Sequence, residues 1–457
     1  MEVIKIQNEF WNPKFLLKNL EALNLIDLAE DALNFALKNS DHVEVYVEKE
    51  KSIGVDVQNN EVKFAKEDFT CGIGIRVILD TKMGFSYTTN IDKIKEMIEN
   101  AIFNAKSNIA DNYFDFAEET RYSPVKGLYD KKIESMAIED SIEFAKTMIN
   151  MVEDEKCEPT SGGFSAGCYE SLILNSKGVN CKEKSSSFSG FIAVNAESNG
   201  VISTAYEGDS SRSFDINPEW IAFNASDIAK KSLNGKAVET KDIDVVLDQR
   251  AGAGLLGTFV NAVNADNVQR GRSIYANETG NKVVSSALSI YDDGTYEGGL
   301  NASRGDGEGA PSQKTTIIEN GVLKNFIYDI YTAKKGNAES TGNGMRASFA
   351  DMPAVGLSNV IIQFSDMIDI SDINEGMIVT DVLGAHTANP ISGDFSVEVN
   401  NAFKIENGEI SEPVKKAMLS GNIFNVMKTA SGISGKTRQI GPFVIPRILA
   451  SSLRVIG

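Results

Sequence analysis

Residues 247–264 read LDQRAGAGLLGTFVNAVN and follow the β-branched run DIDVV, 242–246. Within them Gly252-x-Gly254-x-x-Gly257 has the spacing of a dinucleotide-binding loop. Such a loop needs its first glycine directly after the strand, where the tight turn brings backbone N–H groups against a pyrophosphate. Here Asp248, Gln249, Arg250 and Ala251 intervene. The chain then runs into the polar, turn-like ADNVQRGRSIYANETGNK instead of a second parallel strand that ends in an acid. Meanwhile Gly252, Leu255, Leu256, Phe259, Val260 and Val263 recur at i, i+3, i+4, i+7, i+8 and i+11. That period predicts a helix over 250–264, buried along one side, whose small residues permit close packing.

Downstream of this helix the chain reads as β-rich. A glycine-dense loop, YDDGTYEGGLNASRGDGEGAPSQ (291–313), precedes strands broken at Asn320-Gly321 and Asn407-Gly408, both strong hairpin signals. Upstream, an amphipathic helix over 28–37 leads to alternating runs at Val43/Val45/Val47, Ile53/Val55/Val57 and Cys71/Ile73/Ile75/Val77. These read as consecutive antiparallel strands, with a turn at Asn59-Asn60. Helices follow over 90–107, with Asn90 as N-cap, over about 136–152 and over 219–233. A Ser/Gly-rich strand meander fills 161–208. The expected fold class is α+β with two domains. An N-terminal helix and antiparallel-sheet domain spans 1–238, with a further division into about 1–130 and 131–238 left open. A β-rich C-terminal domain spans 239–457.

Composition limits function. The chain has 457 residues, 42% hydrophobic and 24% charged, and a formal net charge of −19. No long Lys/Arg run offsets that charge, so direct nucleic-acid binding is disfavoured. No apolar run reaches the roughly 18 residues of a membrane span. The opening MEVIKIQNEFWNPKF carries charges unsuited to a signal peptide. The expected location is the cytoplasm, where Cys71, Cys157, Cys168 and Cys181 are reduced thiols. There are two histidines, His42 and His386. That scarcity argues against a histidine metal site in this chain.

Other motifs lack their context. GFSAG (163–167) matches G-x-S-x-G but is followed by strand-like CYESLIL, not by the helix of a nucleophile elbow. ASGISGKT (430–437) resembles a phosphate loop, yet GPFVIP soon follows and breaks helices. GAHTANPISGDFSVEV places His386, Asp394 and Ser396 on a loop entering a strand. These three are candidates for a substrate or partner groove, although short-range Asp and Ser more often satisfy turns.

Taken in order, DDGTYEGG (292–299), IENGVLKNFIYDIYTAKK (318–335), STGNGMR (340–346), ANPISGDFSVEV (388–399) and IENGEI (405–410) resemble the TldD/PmbA family, and within it the PmbA (TldE) branch. The resemblance spans essentially the whole chain. It implies an α+β protein that pairs with a TldD subunit as a cytosolic metallopeptidase trimming or degrading peptides. Its older label, modulator of DNA gyrase, sits poorly with the acidic charge. In TldD subunits the helix corresponding to 250–264 carries His-Glu-x-x-x-His, with a further Cys ligand downstream. Aligned on the Leu-Leu pair, those positions are Gly257, Thr258, Ala262 and Ser434. None can replace its counterpart as zinc ligand or base. The resemblance therefore implies no cofactor in this chain and zinc in the partner subunit. Its catalytic residues would lie in the partner as well. The alternatives are a stand-alone homodimeric peptide- or protein-binding protein, and a metal-independent hydrolase using His386 with Asp394 or Ser396.

Overall fold

Asn24 opens the first helix of the computed structural model, which describes residues 24–457. The MEVIKIQNEFWNPKF stretch lies outside the described residues. The side chain of Asn24 accepts from the N–H of Ile26 at 3.1 Å and so caps α1 (Leu25–Ala36). Ala29, Ala32 and Ala36 form its buried stripe. The N-terminal strands are β1 (His42–Gln58), β2 (Glu61–Leu79), β3 (Lys82–Thr88), β4 (Glu158–Asn175), β5 (Asn180–Ser198) and β6 (Val201–Ser211). They form one antiparallel sheet in the order β3-β2-β1-β4-β5-β6. Helices α2 (Ile94–Ser107), α3 (Lys131–Glu134), α4 (Ile138–Asp154) and α5 (Pro218–Lys231) complete this half.

One expectation is corrected here. The Val43–Val47 and Ile53–Val57 runs are a single strand, because pairing continues through Lys49↔Cys71 and Lys49↔Glu170 without a turn. All six of those odd-numbered residues point to one face. At one end that face packs on α1 and α2, and at the other on α4 and α5. The even face, with Glu44 and Tyr46, is left for the C-terminal half. Asn90 also differs slightly from expectation. It caps a 3₁₀ turn, Ile91–Lys93, that feeds α2.

The C-terminal half opens with β7 (Lys241–Leu247) and α6 (Gln249–Val260), then a 3₁₀ turn at Asn261–Val263. The α-helix stops short of 264 because Asn264 turns its side chain to cap α7 (Ala265–Gln269). That short helix lies in a stretch the sequence suggested was all turn. Then follow β8 (Leu288–Asp293), β9 (Lys314–Glu319), β10 (Val322–Leu323), α8 (Ile330–Gly336), β11 (Gly344–Met345), β12 (Ala354–Val355), β13 (Val360–Phe364) and β14 (Met367–Ile368). The chain ends with β15 (Glu375–Leu383), β16 (Asp394–Glu406), β17 (Glu409–Val414), β18 (Met418–Asn422), α9 (Ile423–Thr429), β19 (Ser431–Ile440) and β20 (Phe443–Ile456). The main sheet runs β10-β9-β8-β13-β20-β18-β16-β15-β7, and β7 pairs back onto β20. Five strands thus close a ring against which α6 packs. Asn320-Gly321 and Asn407-Gly408 both have two positive φ values, as two-residue hairpin turns require. The fold is α+β, with a helix-covered antiparallel sheet followed by a β-rich half. Among the described residues no helix is long and apolar enough to cross a membrane.

Candidate functional site

The rejected motifs are placed as their surroundings predicted. GFSAG lies inside β4 and ASGISGKT runs into β19, neither at a strand-to-helix turn. The glycines of 252–257 sit in mid-helix. A Cβ on Gly252 would lie 3.0 Å from the Ile445 side chain, so this glycine permits close packing on β20. The N-terminus of α6 is occupied by Asp248, whose carboxylate accepts from the Gln249 N–H at 2.8 Å and pairs with Arg447 at 3.1 Å. A phosphate there would meet a carboxylate.

The four positions aligned with a zinc site differ in environment. Gly257 is half-buried, and a Cβ there would meet nothing within 4 Å. Thr258 and Ala262 are buried at 7% and 1% exposure. Ser434 lies where β19 loses register with β20, and its hydroxyl donates to Asp369 at 2.8 Å. Two of the four carry no side-chain donor atom at all, and the other two offer only hydroxyls. The set does not fit zinc. Among the described residues no three His, Cys, Asp or Glu side chains are grouped so as to hold a metal ion. The four cysteines are free, and burial pushes the Cys168 and Cys181 thiols up to about 11.

His386 is exposed on a 3₁₀ turn, Ala385–Thr387. That turn rests on α6, since a Cβ on Gly254 would lie 3.4 Å from Ala385. Asp394 and Ser396 are exposed on β16. Asp394 accepts from Asn422 at 2.9 Å and from Ser392 at 2.7 Å, and these bonds hold its carboxyl below the usual range. Ser396 stands opposite Ser420 of β18. Among the described residues no hydrogen bond joins His386 to either. The fold brings His386 to the helix of the aligned zinc positions but assembles no nucleophile–base pair.

A buried charge cluster between the halves has no counterpart among the motifs read from the sequence. Arg76 of β2 grips Glu44 of β1 with two bonds, at 2.8 and 2.6 Å, and reaches Glu308 at 3.2 Å. Arg346 donates to the same Glu44 at 2.5 Å and to the Gly307 carbonyl at 3.1 Å. All four side chains are at most 4% exposed. Beside them Asp306 accepts three backbone N–H bonds, from Glu308, Ala310 and Gly344. Gly344 is needed at this spot, because a Cβ would come within 2.6 Å of Glu308. Burial opposes the charge on Glu44, but Arg76 and Arg346 outweigh it and hold its carboxyl low. Burial raises both Asp306 and Glu308, and their mutual repulsion adds to that for Glu308. Two guanidiniums cannot balance three carboxylates, so the pair retains a proton. Asp306 accepts three N–H bonds, while Glu308 accepts one from Ile330 and one from Arg76, so the proton belongs to the pair.

A pH dependence follows. The pair binds its proton more tightly folded than unfolded, so its contribution is full only below about pH 4, where the unfolded carboxyls are protonated too, and is lost progressively as pH rises to the folded values of about 7 and about 8. Between those limits each pH unit should cost up to about 1.4 kcal/mol per proton released, and above about pH 8 the profile should level off. Urea unfolding at about pH 6 and about pH 9 is expected to show the loss. Glu308→Gln, which keeps a neutral partner for Arg76, should flatten the profile. Equal slopes in both proteins would refute the shared proton.

The family stretches build this architecture. STGNGMR supplies Arg346 and Asn343, and Asn343 donates at 2.7 Å to Asp292 of DDGTYEGG. Three family models match consecutive segments: PmbA/TldA metallopeptidase domain 1 at 43–105, the central domain at 131–233 and the C-terminal domain at 240–457. The first two fall on the one six-stranded sheet. An uncharacterised protein of Methanocaldococcus jannaschii is 35% identical over 92% of this chain and 98% of its own length. A metalloprotease of the same organism is 27% identical, with 86% of this chain and 89% of that one covered. The crystal structure of TldE from Thermococcus kodakarensis superposes with a TM-score of 0.89 at 25% identity, covering 94% of this chain and all of that one. Fold, motif order and these likenesses agree that the chain belongs to the PmbA/TldD metallopeptidase family.

Proposed function

We propose that this chain is the non-catalytic subunit of a cytoplasmic TldD/TldE-type peptidase. One observation carries the reading. At the aligned zinc positions α6 offers Gly257 and Thr258, the turn after it offers Ala262, and Ser434 is turned to Asp369. A peptidase subunit so short of donors cannot itself activate water by the metal route its relatives' names suggest. Zinc and its bound water then belong to a TldD-type partner with an intact His-Glu-x-x-x-His helix. This chain supplies a wall against which extended peptide lies, held by main-chain hydrogen bonds.

The test is reconstitution. A cognate TldD-type subunit mixed with this chain is expected to cleave unfolded peptides, and a chelator should abolish cleavage. This chain alone should be inert, and the two should co-elute at low salt through an interface above about 1,200 Å². Cleavage by this chain alone in excess chelator would overturn the reading and turn attention to His386. Failure of any TldD-type subunit to co-elute would favour the stand-alone homodimeric binding protein.

A further inference from the structure

Between α5, β6, the N-terminus of α6 and the ring strands lies a cleft of about 760 Å³. This is within the range of small-ligand sites. Its charges are nearly all spoken for. Glu207 pairs with Arg438 at 3.1 Å, Asp227 with Lys231 at 2.8 Å, and Asp248 with Arg447 at 3.1 Å. Lys436 is the remaining cation, exposed on the cleft wall and without an ion pair among the described residues. Its backbone is held at the cleft, because the Gln249 side chain donates to its carbonyl at 2.8 Å. The cleft therefore carries one surplus positive charge on a chain of net charge −19.

The neutral polar side chains of the lining, Asn224, Gln249, Thr380 and Ser411, all donate to backbone carbonyls of the protein, and the rest is apolar. Ile228, Ile378, Phe403 and Ile410 share the wall with Trp220, whose ring carries the Arg438 guanidinium at 5.0 Å. One unpaired cation beside an apolar wall suits a monoanion with a hydrophobic body. It does not suit a phosphate, which would need further free donors, and the helix N-terminus that might supply them already holds Asp248.

We propose that this cleft binds the carboxylate end of a peptide, with the terminal carboxylate at Lys436 and the last apolar side chain against Trp220 and Ile410. The choice of a peptide rests on the proposed peptide-handling role, whereas the anionic and apolar character of the ligand rests on the lining alone.

The chain has two tryptophans, so Trp11→Phe makes Trp220 the sole reporter. The full chain in this background is titrated with N-acetyl-leucyl-leucine, with its C-terminal amide, and with inorganic phosphate. The free acid is expected to change Trp220 emission saturably, with the amide at least about tenfold weaker. Lys436→Met should erase the acid's advantage without shifting the melting temperature. Ile410→Ser, at a half-exposed position, should weaken acid and amide alike. Equal binding of acid and amide, no saturable change, or an acid preference that survives Lys436→Met would each overturn the proposal. So would phosphate binding as tightly as the peptide acid, which would mark a plain anion site. No partner subunit is present in this assay, so its failure and the failure of reconstitution are separate results.

Discussion

Arg76→Ala is expected to lower the free energy of unfolding by about 3–5 kcal/mol, the cost of stranding a buried carboxylate. Glu44 is wholly buried and receives two of its bonds from Arg76. Without that guanidinium it keeps only Arg346, and Glu308 loses its cation as well. Arg346 already spends one nitrogen on Glu44 and its Nε on the Gly307 carbonyl, so it cannot reproduce the two-bond grip of Arg76 and hold Glu308 as well. Urea unfolding followed by circular dichroism measures the loss. Glu44→Gln should cost less, because it leaves a polar amide among donors and not a bare charge. Since Arg76 lies on the N-terminal sheet and Glu308 in the C-terminal glycine loop, the first transition should also lose cooperativity between the halves. A change below about 1 kcal/mol would mean that the cluster is hydrated and behaves like a surface pair.

That cluster marks the boundary of what was legible. Helix α6 was readable because its apolar residues repeat at helical spacing. The Asn-Gly hairpins were readable because the signal is local. The rejection of GFSAG and ASGISGKT also held, since each needs a helix that the following residues cannot form. By contrast, Glu44, Arg76, Glu308 and Arg346 meet from separate segments, and in sequence each is an ordinary charge with no periodic or spacing signal. Glycines around Asp306 and Glu308 suggested a loop. They gave no hint that the loop is driven into the even face of the β1–β2 sheet. The long β1 was misread as two strands for a related reason: Glu48–Ser52 are only half-buried, so the hydrophobic alternation lapses where the pairing does not. The aligned zinc positions were located by resemblance, and only the coordinates show that two of them are packed shut.

Restoring donors to those positions should therefore fail. The variant Gly257→His, Thr258→Glu, Ala262→His is expected to bind no stoichiometric zinc and to be destabilised by about 3 kcal/mol or more. The three sites do not contribute equally. Gly257 has open space at its Cβ and sits within a helix, so histidine there should be tolerated and slightly favoured over glycine. Thr258 is buried, and a glutamate would carry a carboxylate into the core around Phe259 and Val260 without a cation. Ala262 is 1% exposed, and its carbonyl accepts a 2.5 Å bond from Ser273, so an imidazole must displace packed neighbours. Adding Ser434→Cys does not complete a site, because that side chain is directed to Asp369. Elemental analysis of the triple and quadruple variants, beside the unaltered chain, reads the metal, and thermal unfolding with the single variants apportions the cost. One zinc per chain in the triple variant would show that the helix still holds a latent metal site. Absence of zinc with the stability loss concentrated at 258 and 262 would show that the surrounding core has since closed around the smaller residues, so that the helix now serves packing.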